Sequence, residues 1–387
     1  MKKKILVLIM FLVLLTGCST SNEITNKIYD VEIKIDNIAE AFVPAAEKGV
    51  QSSIGVSGYI KSTIFGTWKL ESVGSGVVYS GKAVLKDGTV LEDINESKDH
   101  DNVDYYLYKA VTNYHVINIS GKDAMIKVYL AKIDLLVDAV VLGENIYEDL
   151  AVIEFKTSIY IPPISFGDSD EIQTGEVVLA IGNPEGYQYA DSVTLGIISN
   201  SKRYVEVNRD TNKDGRNDWS GTCLYLQHDA AINSGSSGGA LVNIKGELVG
   251  INVMKLIDAS NTIEGMGFAI PVNILKKYLD EMENGQKISV NKISGTIFSV
   301  NQIINKELYD NIPNISLPTN YAKDYGVYVY DSNSYGLNDG DIIIELNGNT
   351  IYNTAVLNET IRNFVDKTFN WVLFRNGDYV EIDYQKK

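Results

Sequence analysis

Histidine and cysteine are scarce: His100, His115, His228, Cys18 and Cys223 are all that the 387 residues contain. Any chemistry that needs an imidazole therefore has three candidates. Positive charge is also in short supply, with 34 Lys and Arg against 50 Asp and Glu and a formal net charge of -16. Such a surface repels phosphate backbones, and no local basic patch offsets it, so nucleic acid is excluded as a partner. Long apolar runs are missing too. The stretch from Ile5 to Leu15 falls well short of the ~20 residues a membrane-spanning helix needs. What is present is ordinary for a soluble globular protein: 45% hydrophobic and 22% charged residues, with no low-complexity or collagen-like bias. The length exceeds one ordinary hydrophobic core and predicts two domains.

Lys2, Lys3 and Lys4 ahead of that short apolar run make a secretory signal, so export is expected. Leu15-Thr16-Gly17-Cys18 resembles the bacterial lipobox, in which cleavage before the cysteine leaves a diacylated N-terminus. Two acyl chains suffice for stable anchoring. The expectation is a signal peptide over residues 1–17, lipidation at Cys18, and a bacterial, extracytoplasmic lipoprotein held at the membrane. Lipidation would consume Cys18 and leave Cys223 as a lone thiol, with no intrachain disulfide framework. Residues 18–45 read as a tether with an amphipathic docking stretch toward Ala41.

From Ser75 to Val249 short runs rich in Val, Ile, Leu and Tyr are punctuated by Gly, Asn and Asp, as in Gly76-Val77-Val78-Tyr79. That spacing predicts an all-β barrel or sandwich. The charged stretch between Lys82 and Asp104 reads as a solvated hairpin loop. Pro271 starts a helix whose Leu275, Tyr278, Leu279 and Met282 share one face, and Gly285 stops it. Further strand-like runs follow, including Ile342-Ile343-Ile344-Glu345-Leu346. The expected division is 46–285 for one domain and 286–387 for a second, smaller one.

Gly235-Ser236-Ser237-Gly238-Gly239 is a small turn that can expose a serine hydroxyl while backbone N–H groups converge on a carbonyl oxygen. The same letters satisfy the nucleophile elbow of α/β-hydrolases, but there the catalytic histidine follows the serine, and all three histidines here precede it. An activated serine needs a base, and the base needs an acid that fixes its tautomer. His100 lies in the charged loop, and His228 is very close in sequence to the serine turn. His115 ends the apolar strand Lys109-Ala110-Val111-Thr112-Asn113-Tyr114. Asp149 opens Asp149-Leu150-Ala151-Val152-Ile153, at the mouth of another buried strand. The order His, Asp, Ser is that of chymotrypsin-like double barrels.

These residues carry a resemblance. Val111-Thr112-Asn113-Tyr114-His115-Val116 is similar to the T-N-x-H-V histidine motif of the HtrA family. Asp149-Leu150-Ala151-Val152, Gly167-Asp168-Ser169, Ala180-Ile181-Gly182-Asn183-Pro184 and Gly267-Phe268-Ala269-Ile270-Pro271 resemble further motifs of that family, in order. Asp229-Ala230-Ala231-Ile232-Asn233 leads into the serine turn as D-A-A-I-N-P-G-N-S-G-G does, with Ser234 in place of proline and Ser236 in place of asparagine. The resemblance implies a mainly β protein, with a chymotrypsin-like double β-barrel protease domain followed by a smaller PDZ-like α+β domain. It selects Ser237 as nucleophile with His115 and Asp149, and the N–H groups of Gly235 and Ser237 as the oxyanion hole. No cofactor is then required. The activity implied is that of an endopeptidase acting on unfolded or misfolded polypeptides, and a homotrimer is implied as well. Ala231, six residues before Ser237, stands where trypsin-like enzymes place an acid, so cleavage after small or medium aliphatic residues is expected.

In residues 286–387, Gly336-Leu337-Asn338-Asp339-Gly340-Asp341-Ile342-Ile343 is similar to the G-L-x-x-G-D-x-I of PDZ domains. Tyr325-Gly326-Val327-Tyr328 resembles a carboxylate-binding loop, where a C-terminal peptide would add a strand. Asp210-Thr211-Asn212-Lys213-Asp214-Gly215-Arg216-Asn217-Asp218 reads as an EF-hand-like loop, with calcium oxygens from Asp210, Asn212, Asp214 and Asp218. Gly221 stands where the bidentate carboxylate belongs, which weakens such a site. The alternative function on the same scaffold is a chaperone-like or dedicated-partner binding protein that holds chains without cutting them.

Overall fold

Leu150-Ala151-Val152-Ile153 is apolar without a break because the strand buries both of its faces. Leu150 and Val152 point into the contact between two barrels, whereas Ala151 and Ile153 point into the core of the first. Side chains alternate across a strand, so one run serves two cores. The same division holds for Val77 and Val78. The computed structural model describes residues 38–62, 66–94, 100–119, 124–184, 188–212, 215–253, 265–309, 312–332, 334–362, 364 and 368–386.

Helix α1 (Ile38–Gln51) leads into β1 (Ser53–Lys61), β2 (Trp68–Leu85), the short β3 (Val90–Leu91), β4 (Val103–Thr112), β5 (Ala124–Leu130), β6 (Leu135–Asn145) and β7 (Leu150–Thr157). The sheet order is β1-β5-β6-β7-β4-β2-β3, and the pairing of β1 with β2 closes it into a first barrel. A one-turn helix α2 (Tyr114–Ile117) follows β4. The second barrel is closed in the order β10-β13-β12-β11-β8-β9, from β8 (Val177–Gly182), β9 (Ser192–Arg209), β10 (Trp219–His228), β11 (Ala240–Asn243), β12 (Leu248–Val253) and β13 (Gly267–Pro271). Ala45 of α1 is buried in the cluster between the barrels, so the expected boundary at residue 45 falls inside a helix that packs on the protease-like core. Cys18 and the expected signal peptide lie outside the described residues.

Helix α3 (Val272–Glu283) begins after Pro271 and buries Val272, Ile274, Leu275, Tyr278 and Met282, with Gly285 at φ +64° just beyond its end. Ile288 still packs in the interbarrel cluster and Ile293 belongs to a new one. The chain changes core between them. The C-terminal domain is the antiparallel sheet β14-β15-β16-β18-β19, with β17 on β16. Its strands are β14 (Thr296–Ser299), β15 (Val327–Tyr330), β16 (Ile342–Leu346), β17 (Asn349–Thr350), β18 (Thr368–Arg375) and β19 (Asp378–Gln385). The short helix α4 (Val300–Ile304) follows β14, and α5 (Thr354–Arg362) lies against β9 and β10 of the second barrel. The fold is mainly β, a double barrel followed by a smaller α+β domain. Among the described residues no helix is long and apolar enough to cross a membrane.

Candidate active site

His115 and Asp149 meet where β4 and β7 end side by side, with Thr112 paired to Ala151. His115 Nδ1 lies 2.7 Å from Asp149 Oδ2, and His115 N–H donates to Asp149 Oδ1 at 2.9 Å. Two further donors fix the Asp149 main chain: Asn113 Nδ2 at 2.9 Å and Tyr114 N–H at 3.1 Å both reach its carbonyl. Asp149 itself has φ +59°, a left-handed conformation that aspartate tolerates better than most residues. Its side chain is 4% exposed and that of His115 39%, so the acid is covered and the imidazole faces solvent. Burial alone would push the Asp149 carboxyl up. The charge and hydrogen bond of His115, with the Arg209 guanidinium nearby, outweigh burial and hold it below the usual carboxylate range.

Ser237 is brought to this pair by the way its turn docks on β2. Ser75 N–H donates to Ser237 carbonyl oxygen at 2.7 Å. The next residue, Gly238, has φ +87°, and a Cβ there would stand 2.2 Å from Ser75 carbonyl oxygen and 3.1 Å from Asn113 N. Only glycine allows that approach. Gly74 similarly lies against both the Val116 side chain and the Ser237 carbonyl. The serine turn therefore rests on the residues that flank His115. Ser236 N–H donates to Asn233 carbonyl oxygen at 2.8 Å, and Gly235 has φ +93°. Together these define a type II turn with glycine at its third position. The Ser236 hydroxyl accepts from Asn233 N–H at 3.2 Å, within the turn itself.

The other two histidines stand apart. His100 Nδ1 lies 2.7 Å from the Tyr106 hydroxyl, and its ring packs 4.4 Å from that of Tyr160. His228 is fully buried against Gly267, with Ala230, Phe268 and Asn252 beside its ring. Cys223 is a buried free thiol that burial pushes up to about 12, so it is unreactive at neutral pH.

The double barrel agrees with what comparison with known proteins finds. Residues 74–251 match the family described as trypsin-like peptidase domain. A serine protease HtrA-like protein of Staphylococcus epidermidis is 33% identical over 317 residues, 78% of this chain and 51% of that one. A serine protease Do-like HtrA of Lactobacillus helveticus is 33% identical over 281 residues, 70% of this chain and 63% of that protein. The chain belongs to the HtrA family of serine proteases. It therefore spans between about half and two thirds of the length of these two relatives. A Lactococcus lactis subsp. cremoris HtrA is 28% identical over 388 residues, 94% of this chain and 86% of that one. Among solved structures, the HtrA-type protease AlgW with decapeptide superposes with a TM-score of 0.58 at 23% identity, covering 89% of this chain and 97% of that one. The serine endoprotease from Yersinia pestis gives 0.53 at 25% identity, over 89% and 96%.

One expectation about this HtrA-family chain needs revision. Tyr325-Gly326-Val327-Tyr328 leads into β15, which is paired with β14 on one side and β16 on the other. Both edges are taken, so no peptide can add a strand there. Gly326 N–H donates to Tyr352 carbonyl oxygen at 3.2 Å, and Gly326 carbonyl oxygen accepts from Val300 N–H at 2.9 Å. The outer strands of the sheet are β14 and β19, and β14 is flanked by α5, whose Thr354 N–H donates to Ser299 Oγ at 3.0 Å. Sequence resemblance put the weight on the glycine, and a glycine before a central strand looks the same as one before an edge strand.

The expected calcium residues Asp210 and Asp218 each bond within their own loop. Asp210 Oδ2 accepts from Gly215 N–H at 2.7 Å, and Asp218 accepts from Thr211 N–H at 2.6 Å and Thr211 Oγ1 at 3.0 Å. These carboxylates close the hairpin between β9 and β10. Among the described residues no group of three acidic, histidine or cysteine side chains could hold a metal; Asp214 lies outside them. Sequence reading also passed over Arg209, the last residue of β9, whose charge acts on Asp149. No local motif marks it.

Proposed function

We propose that this chain is a serine endopeptidase that cleaves unfolded or misfolded polypeptides outside the cytoplasm. The observation that carries the reading is the covered Asp149 carboxylate bonded to the solvent-facing His115 imidazole at 2.7 Å, beside a serine turn fastened to the same strands. In this reading His115 Nδ1–H donates to Asp149, which leaves Nε2 as the base. Ser237 Oγ bonds to the scissile carbonyl carbon as His115 takes its proton, and the carbonyl electrons move to oxygen. The N–H groups of Gly235 and Ser237 receive that oxyanion. Collapse expels the amine, which takes the proton from His115. Water then repeats the sequence and releases the acyl group as acid.

A C-terminal peptide would bind as an added strand on the β14 edge beside α5. A lipid at Cys18 would hold the enzyme at the membrane, and a homotrimer is the expected assembly. Ala231 supports cleavage after small or medium aliphatic residues. Calcium at Asp210 to Asp218 is a second, separate reading, favoured by Gly215 at φ +88° with its N–H on Asp210. No step of the peptidase reaction passes through it. The test is degradation of an unfolded protein by a soluble form beginning after Cys18, beside Ser237→Ala, with and without chelator. Degradation by the native protein alone supports the endopeptidase reading. No degradation by either, even with added C-terminal peptides, favours a binding protein. Equal activity after chelation removes the calcium reading.

A further inference from the structure

Ser75 lies on β2 of the first barrel, yet its polar groups bind the second. Its hydroxyl donates to the Gly235 carbonyl oxygen at 2.6 Å in a fully buried contact. The same oxygen accepts from Asn183 N–H at 2.8 Å and from Asn183 Nδ2 at 3.3 Å. A hydroxyl has one donor and two acceptor positions, and all three are used. Ser75 N–H holds the Ser237 carbonyl at 2.7 Å, and Ser75 carbonyl oxygen accepts from Thr112 Oγ1 at 2.6 Å. One residue thus joins the serine turn, the Ala180–Pro184 segment and β4, the strand that leads to His115.

The peptide plane between Gly235 and Ser236 is the one that matters. Its carbonyl is held by Ser75 Oγ and its N–H by Asn233 carbonyl oxygen, so it is pinned at both ends. The planes on either side of it carry the N–H groups of Gly235 and Ser237. Gly235 is free to adopt either sign of φ, so its own backbone preference does not hold it in place. The carbonyls of Gly235 and Ser237, the two residues whose N–H groups would form the oxyanion hole, are both bonded to Ser75. We propose that Ser75 is a positioning residue for the oxyanion hole, which fixes both of those residues from the neighbouring barrel. The proposal rests on the peptidase reading above and adds to it how the site is held together.

Ser75→Ala leaves a buried carbonyl unpaired and frees the turn. Direct loss of one oxyanion donor costs about 100- to 1,000-fold in kcat, so loss of its anchor should lower kcat by about 10- to 100-fold with KM within about threefold. Affinity for a peptidyl boronate, which forms a tetrahedral adduct at the serine, should fall in parallel. Ser75→Cys fills the same space with a weak donor and should lose kcat in the same sense even where the alanine variant folds poorly. Asn183→Ala removes the bonds from Nδ2 to Ser75 and to Ile54 carbonyl oxygen but leaves the Gly235 anchor. It should lower the melting temperature while keeping kcat within about threefold. Native kcat and boronate affinity in the Ser75 variants, or losses no larger than in Asn183→Ala, would overturn the proposal. An inactive native protein, indistinguishable from Ser237→Ala, would instead overturn the peptidase reading beneath it.

Discussion

Arg362 Nε donates to Glu148 Oε1 at 2.9 Å, and the residue after Glu148 is Asp149. The pair crosses from the last turn of α5 in the C-terminal domain to the loop that delivers the acid of the candidate triad, and both side chains are 3% exposed or less. Burial alone would pull the guanidinium down, and the adjacent Glu148 carboxylate outweighs it and keeps the group charged. Removing one member of such a buried pair costs about 3–5 kcal/mol because the other is stranded without water or partner. Arg362→Ala should lose about that much stability in urea unfolding. It should also lower kcat, about 10- to 100-fold if the Glu148 loop shifts by ~1 Å. Replacing both residues with apolar ones of similar volume should recover much of the stability.

Asp149→Asn keeps the shape of the site and removes the charge. The imidazole then has no reason to carry its proton on Nδ1, and kcat should fall by about 10⁴-fold with the fold intact. Steady-state kinetics beside circular dichroism checks both halves.

His228 gives a pH dependence that has nothing to do with catalysis. Burial pulls its imidazole from 6.5 to about 4, so the unfolded chain takes up a proton over a range where the folded one does not. The resulting stability is fully present above about pH 6.5 and is lost as pH falls through about 4. A shift of that size corresponds to at most about 3 kcal/mol. Denaturant midpoints should therefore drop between pH 6.5 and 4 in the native protein, and His228→Leu should flatten that part of the profile.

Peptide binding should protect β14, not β15. In hydrogen exchange with a C-terminal peptide, amides of Thr296 to Ser299 should slow, whereas those of Val327 and Tyr328 are already paired on both sides and should change little.

Much of the double barrel is legible in the sequence because each strand near the site writes its burial into local patterning. Leu150 to Ile153 is apolar throughout because it serves two cores, and α3 carries both its start at Pro271 and its stop at Gly285. His115 and Asp149 could be picked out because each sits at the end of such a strand. The interdomain pair could not be, since Glu148 and Arg362 lie far apart in sequence and carry no motif. Ser75 is similar: a serine between two glycines is a loop signature until Gly235 is seen across from it. The edge strand was missed for a related reason. Thr296 to Ser299 is too short for a clear alternation, and only strand order shows that it lies at an edge.

The most direct test is to locate the acyl group. Acid quench during turnover of a slowly deacylating peptide ester, followed by mass spectrometry of the digested protein, should find one adduct, on Ser237, in the native enzyme and none in Ser237→Ala. Turnover with the adduct on Ser234 or Ser236, or with no adduct while Ser237→Ala still cleaves, would contradict the account.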